Sequence, residues 1–262
     1  MADADAVREA GVAERTLPTG PTPPPSPAAP GGEKVMSLVD HLSELRSRIV
    51  RVVLAVLVGT MVGFYFADRF ISALAAPAGG KLLNLAPGDA FFIVVRVSLV
   101  TGIILAMPVI LYQLWAFVAP GLTPTEQRSI RPWIPLALAF FALGVGIAWV
   151  VLPFAMAFLL SFNAGGTFQN QLGASQYFDF VTTLFLAFGL VMEFPILLVG
   201  LSRVGILSSQ RLAASRRYVI LGIAIFAAVA TPGGDLVSPF VLGGTMYLLF
   251  EATILFIRRT GR

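Results

Sequence analysis

Six apolar runs, at about 52–67, 90–118, 133–160, 180–201, 219–230 and 236–257, dominate this chain of 262 residues. Hydrocarbon offers no partner to a backbone N–H or C=O, so runs of this length must form helices that satisfy their own polar groups. The composition agrees: 57% of residues are hydrophobic and 12% charged, whereas a soluble domain carries about 25% charged residues. The chain therefore reads as an all-α, polytopic membrane protein with six transmembrane helices. The fifth run is about a dozen residues, short of the roughly 20 that cross a bilayer core, and Pro239, Gly243 and Gly244 interrupt the sixth. These two are expected as a thin helical hairpin around Thr231–Asp235, because the charges beyond them require a return.

The basic residues set the orientation. Lys34, Arg46, Arg48 and Arg51, then Arg128 and Arg131, then Arg203, Arg211, Arg216 and Arg217, and finally Arg258, Arg259 and Arg262 collect on one side. The other side keeps Arg69 and Lys81, with Arg96 inside the second run. The positive-inside rule then puts both termini, and the second and fourth loops, in the cytoplasm. The third loop, read as Pro153 to Asp179, has no basic residue. The cluster Arg211–Arg217 reads as a topology signal and a contact for anionic lipid, not as a nucleic-acid surface.

Residues 1–35 have almost no bulky apolar side chains and are rich in Pro between Pro18 and Gly32, so a disordered, cytoplasmic Pro-rich tail is expected there. Its acidic start, with no apolar core, does not read as a signal peptide. From Val35, apolar residues at three- and four-residue spacing mark an amphipathic helix, with Ser37 as its cap, that lies at the membrane surface and runs into the first span. Its polar face presents Asp40, Glu44 and Arg48 at i, i+4 spacing.

With no Cys and one His, the chain offers no thiolate and little for zinc or triad chemistry, and it carries no nucleotide or hydrolase motif. No enzyme, cofactor or metal is expected. The acids are more informative. Glu193, inside the fourth run, sits where an ionised side chain costs several kcal/mol. It reads either as a neutral carboxyl bonded to the carbonyl that Pro195 frees, or as a proton relay or contact for a partner helix. Glu251, near the end of the sixth run, reads as a snorkelling or structural residue. Thr123, Pro124 and Glu126 make a capping box at the start of the third helix. Glu44 can pair with Arg48 one turn on. Alternatively, Glu44 and Glu126 form a pair of exposed anions suited to two guanidinium groups through forked, charge-assisted bonds.

The segment Met36-Ser37-Leu38-Val39-Asp40-His41-Leu42-Ser43-Glu44-Leu45-Arg46 resembles the amino-terminal signature of the TatC family, the multi-spanning subunit of the twin-arginine protein translocase. Pro108 to Gly121 leading to Glu126, the stretch around Glu193, Arg216-Arg217-Tyr218, Thr231-Pro232 with Asp235, and Tyr247 to Glu251 are similar to the same family, in the same order. The resemblance spans 36–262 as one six-helix domain, with short fifth and sixth helices and a cup-like form. It departs from the usual family residues at Met192, Pro239 and Gly244.

The resemblance implies a receptor for signal peptides bearing an arginine pair, in a prokaryotic inner membrane. Glu44 and Glu126, with Arg46 and Phe117 beside them, would form the recognition site, while Glu193, Thr231 and Asp235 would be intramembrane polar or partner contacts. Single-span TatA- and TatB-type subunits, further copies of the chain and membrane lipid would be its partners, and the proton-motive force would drive export of folded cargo. The alternative is a proton-coupled solute transporter that uses Glu193 as its carrier.

Overall fold

The computed structural model describes residues 38–79, 82–162, 172–231 and 235–259. The expected Pro-rich tail and the Ser37 cap lie outside these residues. From Leu42 onward the chain packs as one unit.

The first helix, α1 (Leu38–Tyr65), runs without a break from the amphipathic segment into the first apolar run. After Phe66 come α2 (Ala67–Ala75) and a 3-10 turn, then a loop whose Leu83 backbone bonds to Leu172 and Ala174. Asp89 starts α3 (Asp89–Val118) by accepting from the N–H groups of Leu85 and Ala86 at 2.8 and 2.9 Å. A 3-10 turn at Ala119–Gly121 leads to α4 (Pro124–Ile130) and then α5 (Trp133–Ser161). The chain continues through α6 (Ala174–Val191), α7 (Phe194–Arg203), α8 (Ser209–Ala214), α9 (Arg216–Ala230) and α10 (Val237–Arg259).

Among the described residues, five segments are long and apolar enough to cross a membrane: Asp40–Tyr65, Asp89–Gly121, Pro124–Ser161, Ala174–Arg203 and Val237–Arg259. The fifth apolar run is present as α9, whose 15 residues fall short of that length. It packs along α10, as a hairpin would.

Two expectations need correction. The third loop does not begin at Pro153: α5 passes through this proline to Ser161, and α6 starts at Ala174, which puts Asp179 inside a helix. Proline is tolerated there because neighbouring helices and local backbone adjustment satisfy the carbonyl it frees. The fourth run is not one helix, since it breaks at Met192 and Glu193 between α6 and α7, with Pro195 in the first turn of α7. A proline at that position lacks only an N–H that a helix start leaves unused.

The core lies where α5 and α6 meet, joined by α3 and α10, around Leu152, Phe178, Val181, Leu184, Phe188 and Leu242. Lipid is as apolar as leucine, so helices in it associate through close packing and polar contacts, and small residues at the crossings allow this. Gly144 of α5 faces the Phe188 carbonyl oxygen of α6, which would lie 2.4 Å from an added Cβ. The crossing of α1 with α3 is tighter still. A Cβ at Gly102 would lie 2.3 Å from Thr60 Oγ1 and 2.5 Å from Thr60 N, and one at Gly59 would lie 2.6 Å from the Gly102 oxygen.

Gly102→Val should therefore push α1 off α3 and cost about 1–3 kcal/mol, as overpacking does. Gly146→Ala, at a mid-helix position with nothing within 4 Å, should keep or slightly raise stability. Thermal unfolding of both variants in the same detergent tests this, and equal midpoints would refute it.

Candidate functional site

On the polar side of α1, Glu44 and Arg48 turn inward, whereas Asp40, Ser43 and Ser47 stay exposed. Glu44 and Arg48 are one turn apart with the acid on the amino-terminal side, the favourable order for a helical ion pair. Arg48 Nε donates to Glu44 Oε1 at 3.0 Å and Nη2 donates to the same oxygen. On its other side, Arg48 Nη1 donates to Gln113 Oε1 of α3 at 3.2 Å. Gln113 is buried, and the Glu44 and Arg48 side chains are only 18% and 16% exposed. Glu44 Oε2 is also buried and finds no hydrogen-bond partner among the described residues. The expected exposed anion is thus a largely buried, ion-paired carboxylate, because its own helix supplies the counter-ion and α3 covers the pair. Arg46 points away from it and is exposed, lining a shallow surface depression with Ser43, Ser47, Val50 and Arg51.

At the carboxy-terminal end of α3, Phe117 is half-buried one turn beyond Gln113, so both lie on one helical stripe. The following turn is fixed by Gln127, whose amide donates to the carbonyls of Ala119 and Leu122 at 2.8 and 3.1 Å. The expected capping box is formed. Glu126 Oε2 accepts from Thr123 N and Oγ1, both at 2.8 Å, and Thr123 Oγ1 accepts from Glu126 N at 3.4 Å. This box opens α4, which a turn at Arg131–Pro132 joins to α5. Glu44 and Phe117 are thus connected through Arg48, Gln113 and α3, while Glu126 is held by its own helix start. The sequence reading missed Gln113, although an amide in the apolar run PVILYQLWAF was a visible signal.

The intramembrane candidates occupy two places. Glu193 is buried at the α6–α7 break, and its Oε1 has no hydrogen-bond partner among the described residues. No side-chain bond to the carbonyl freed by Pro195 is found there; the Glu193 carbonyl instead accepts from Ile196 and Leu197. Thr231 and Asp235 flank the α9–α10 connection. Thr231 Oγ1 donates to the Ala227 carbonyl at 2.8 Å, and Asp235 Oδ2 accepts from Ser238 N at 2.6 Å, capping α10. Both residues are buried, and Asp235 Oδ1 has no partner among the described residues.

Two further ion pairs join helices. Arg96 of α3 pairs with Asp179 of α6, and Arg216 of α9 donates to Glu251 of α10 at 2.8 Å. The second assigns the structural role expected of Glu251. Among the described residues, no group of three or more His, Asp or Glu side chains is placed to hold a metal ion.

A buried carboxyl whose neighbours are apolar can be exchanged for an amide but not for a cation. Glu193→Gln should keep the yield and thermal midpoint of folded protein, while Glu193→Lys should lower both, since a central charge costs about 2.5–3.5 kcal/mol on insertion scales. Equal behaviour of the two variants would show that this side chain reaches water.

Residues 40–244 match the family of the Sec-independent protein translocase protein (TatC). The chain is 34% identical over 226 residues to the TatC protein of Carboxydothermus hydrogenoformans, covering 85% of this chain and 93% of the relative. It is 38% identical over 229 residues to that of Synechocystis sp., covering 87% and 90%. The chloroplastic protein of Arabidopsis thaliana is 36% identical over 234 residues, covering 88% and 68%. A crystal structure described as the twin arginine translocase receptor TatC superposes with a TM-score of 0.74 at 34% identity, covering 85% of this chain and all of the other.

Proposed function

The chain belongs to the TatC family of Sec-independent protein translocase proteins, and we propose that it receives twin-arginine signal peptides at the cytoplasmic ends of α1, α3 and α4. It is a multi-pass transport protein, not an enzyme. The observation that carries the reading is the Glu44 carboxylate, already gripped by the Arg48 guanidinium, which also reaches Gln113 of α3. A carboxylate that binds one guanidinium through two N–H groups is chemically fit to bind another. Glu126 is the second carboxylate, Phe117 is a further candidate contact on α3, and Arg46 lies on the neighbouring exposed face of α1.

In this reading α9 is a short fifth span, so six helices enclose a cup with both termini in the cytoplasm, as the distribution of Arg and Lys supports. The membrane is the inner membrane of a prokaryote. Single-span TatA- and TatB-type subunits meet the intramembrane polar sites at Glu193, Thr231 and Asp235, copies of the chain assemble together, and the proton-motive force drives export of folded cargo. Family membership favours this over the solute-transporter alternative.

The test is equilibrium binding of a labelled twin-arginine peptide to the purified protein in mild detergent. Glu44→Gln and Glu126→Gln should each weaken binding about 10- to 100-fold, as expected for loss of a charge-assisted bond worth about 1.5–3 kcal/mol. A twin-lysine peptide should bind more weakly than the twin-arginine peptide, because an ammonium cannot form the planar fork. Binding that ignores both substitutions and the choice of base would refute the reading. A reporter fused after Arg259 should be active only in the cytoplasm.

A further inference from the structure

We propose that Arg48 is an internal stand-in for the signal arginine, and that the preference for arginine over lysine arises because an incoming base must displace it from Glu44. This inference rests on the reading of Glu44 as a signal-peptide carboxylate.

The geometry supplies both halves of the exchange. Arg48 reaches Glu44 from the same helix, one turn away, and both of its bonds to the carboxylate, from Nε and Nη2, fall on Oε1. The other oxygen, Oε2, is buried without a hydrogen-bond partner among the described residues. The resident guanidinium thus covers the carboxylate but satisfies only one side of it. An arginine from a separate chain is free of that tether and can lay its fork across both oxygens, gaining the bond that Oε2 lacks. A lysine ammonium has three donors but no planar fork, so it must give up the Arg48 bonds without replacing them across the carboxylate.

The displaced Arg48 also has a place to stay. Its Nη1 already donates to Gln113 Oε1 at 3.2 Å, and Gln113 is buried in α3. Release from Glu44 therefore leaves Arg48 with one of its present partners. Arg48 acts here as a specificity-determining residue: it touches the carboxylate and sets how strong a competitor must be to reach it.

The experiment measures the ratio of twin-lysine to twin-arginine peptide Kd for wild type, Arg48→Leu and Arg48→Lys in the full-length protein. Removing the resident fork should let the twin-lysine peptide bind and lower the ratio at least about tenfold in Arg48→Leu. Arg48→Lys keeps the charge but not the fork, so its ratio should fall as well. A role in folding or in net charge alone would shift both peptides together and leave the ratio at its wild-type value in both variants, and that result would overturn the proposal. Loss of all binding in both folded variants would also overturn it, since Arg48 would then hold the peptide rather than compete with it. Arginine preference in wild type that Glu44→Gln abolishes, together with unchanged ratios in the Arg48 variants, would refute this inference alone. A wild type without arginine preference would refute the underlying reading as well.

Discussion

A charge or an unpaired backbone group in hydrocarbon has no water to turn to, and this cost organises the molecule from its sequence to its sites. It makes every long apolar run a helix, because only a helix satisfies its backbone within the segment. It also dictates what becomes of the few charges that enter the bundle. Arg96 finds Asp179 on α6, and Arg216 finds Glu251 on α10. Each pair joins two helices, so a charge that would be a liability alone becomes a contact between them. Asp235 meets the same demand with one oxygen only: Oδ2 caps the first turn of α10, while Oδ1 has no partner among the described residues.

Because lipid does not drive helices together as water does, their packing depends on close approach. Gly59 and Gly63 on α1 meet Gly102 and Ser98 on α3, and Gly144 on α5 meets the backbone of α6 at Phe188. These crossings bring the start of α1 against α3, and so put Arg48 within reach of Gln113. The Glu44–Arg48–Gln113 contacts at the end of the bundle thus depend on glycines three or more turns away.

Much of this was legible in the sequence, for physical reasons that differ from residue to residue. Apolar runs longer than a barrel strand report helices directly, since only a helix satisfies such a run from within, and the Thr123–Glu126 capping box depends only on neighbours three residues apart. The i, i+4 spacing likewise announced the Glu44–Arg48 pair, although not that α3 covers it. Other features depend on partners remote in sequence. Gln113 reads as one amide in an apolar run until α1 lies beside it, and Asp179 reads as loop until α5 is seen to pass Pro153. The break at Met192 and Glu193 had a visible cause in Pro195, but apolar runs on both sides made it read as one span.

The central claim is that the ends of α1, α3 and α4 hold the arginine pair of a signal peptide. The most direct test places a photoreactive residue next to the arginine pair of such a peptide, crosslinks it to the full-length protein in a membrane, and maps the crosslinked residues by mass spectrometry. The account predicts that they cluster within residues 40–51 and 113–128. Crosslinks concentrated instead along α9 and α10, within 217–247, would contradict it.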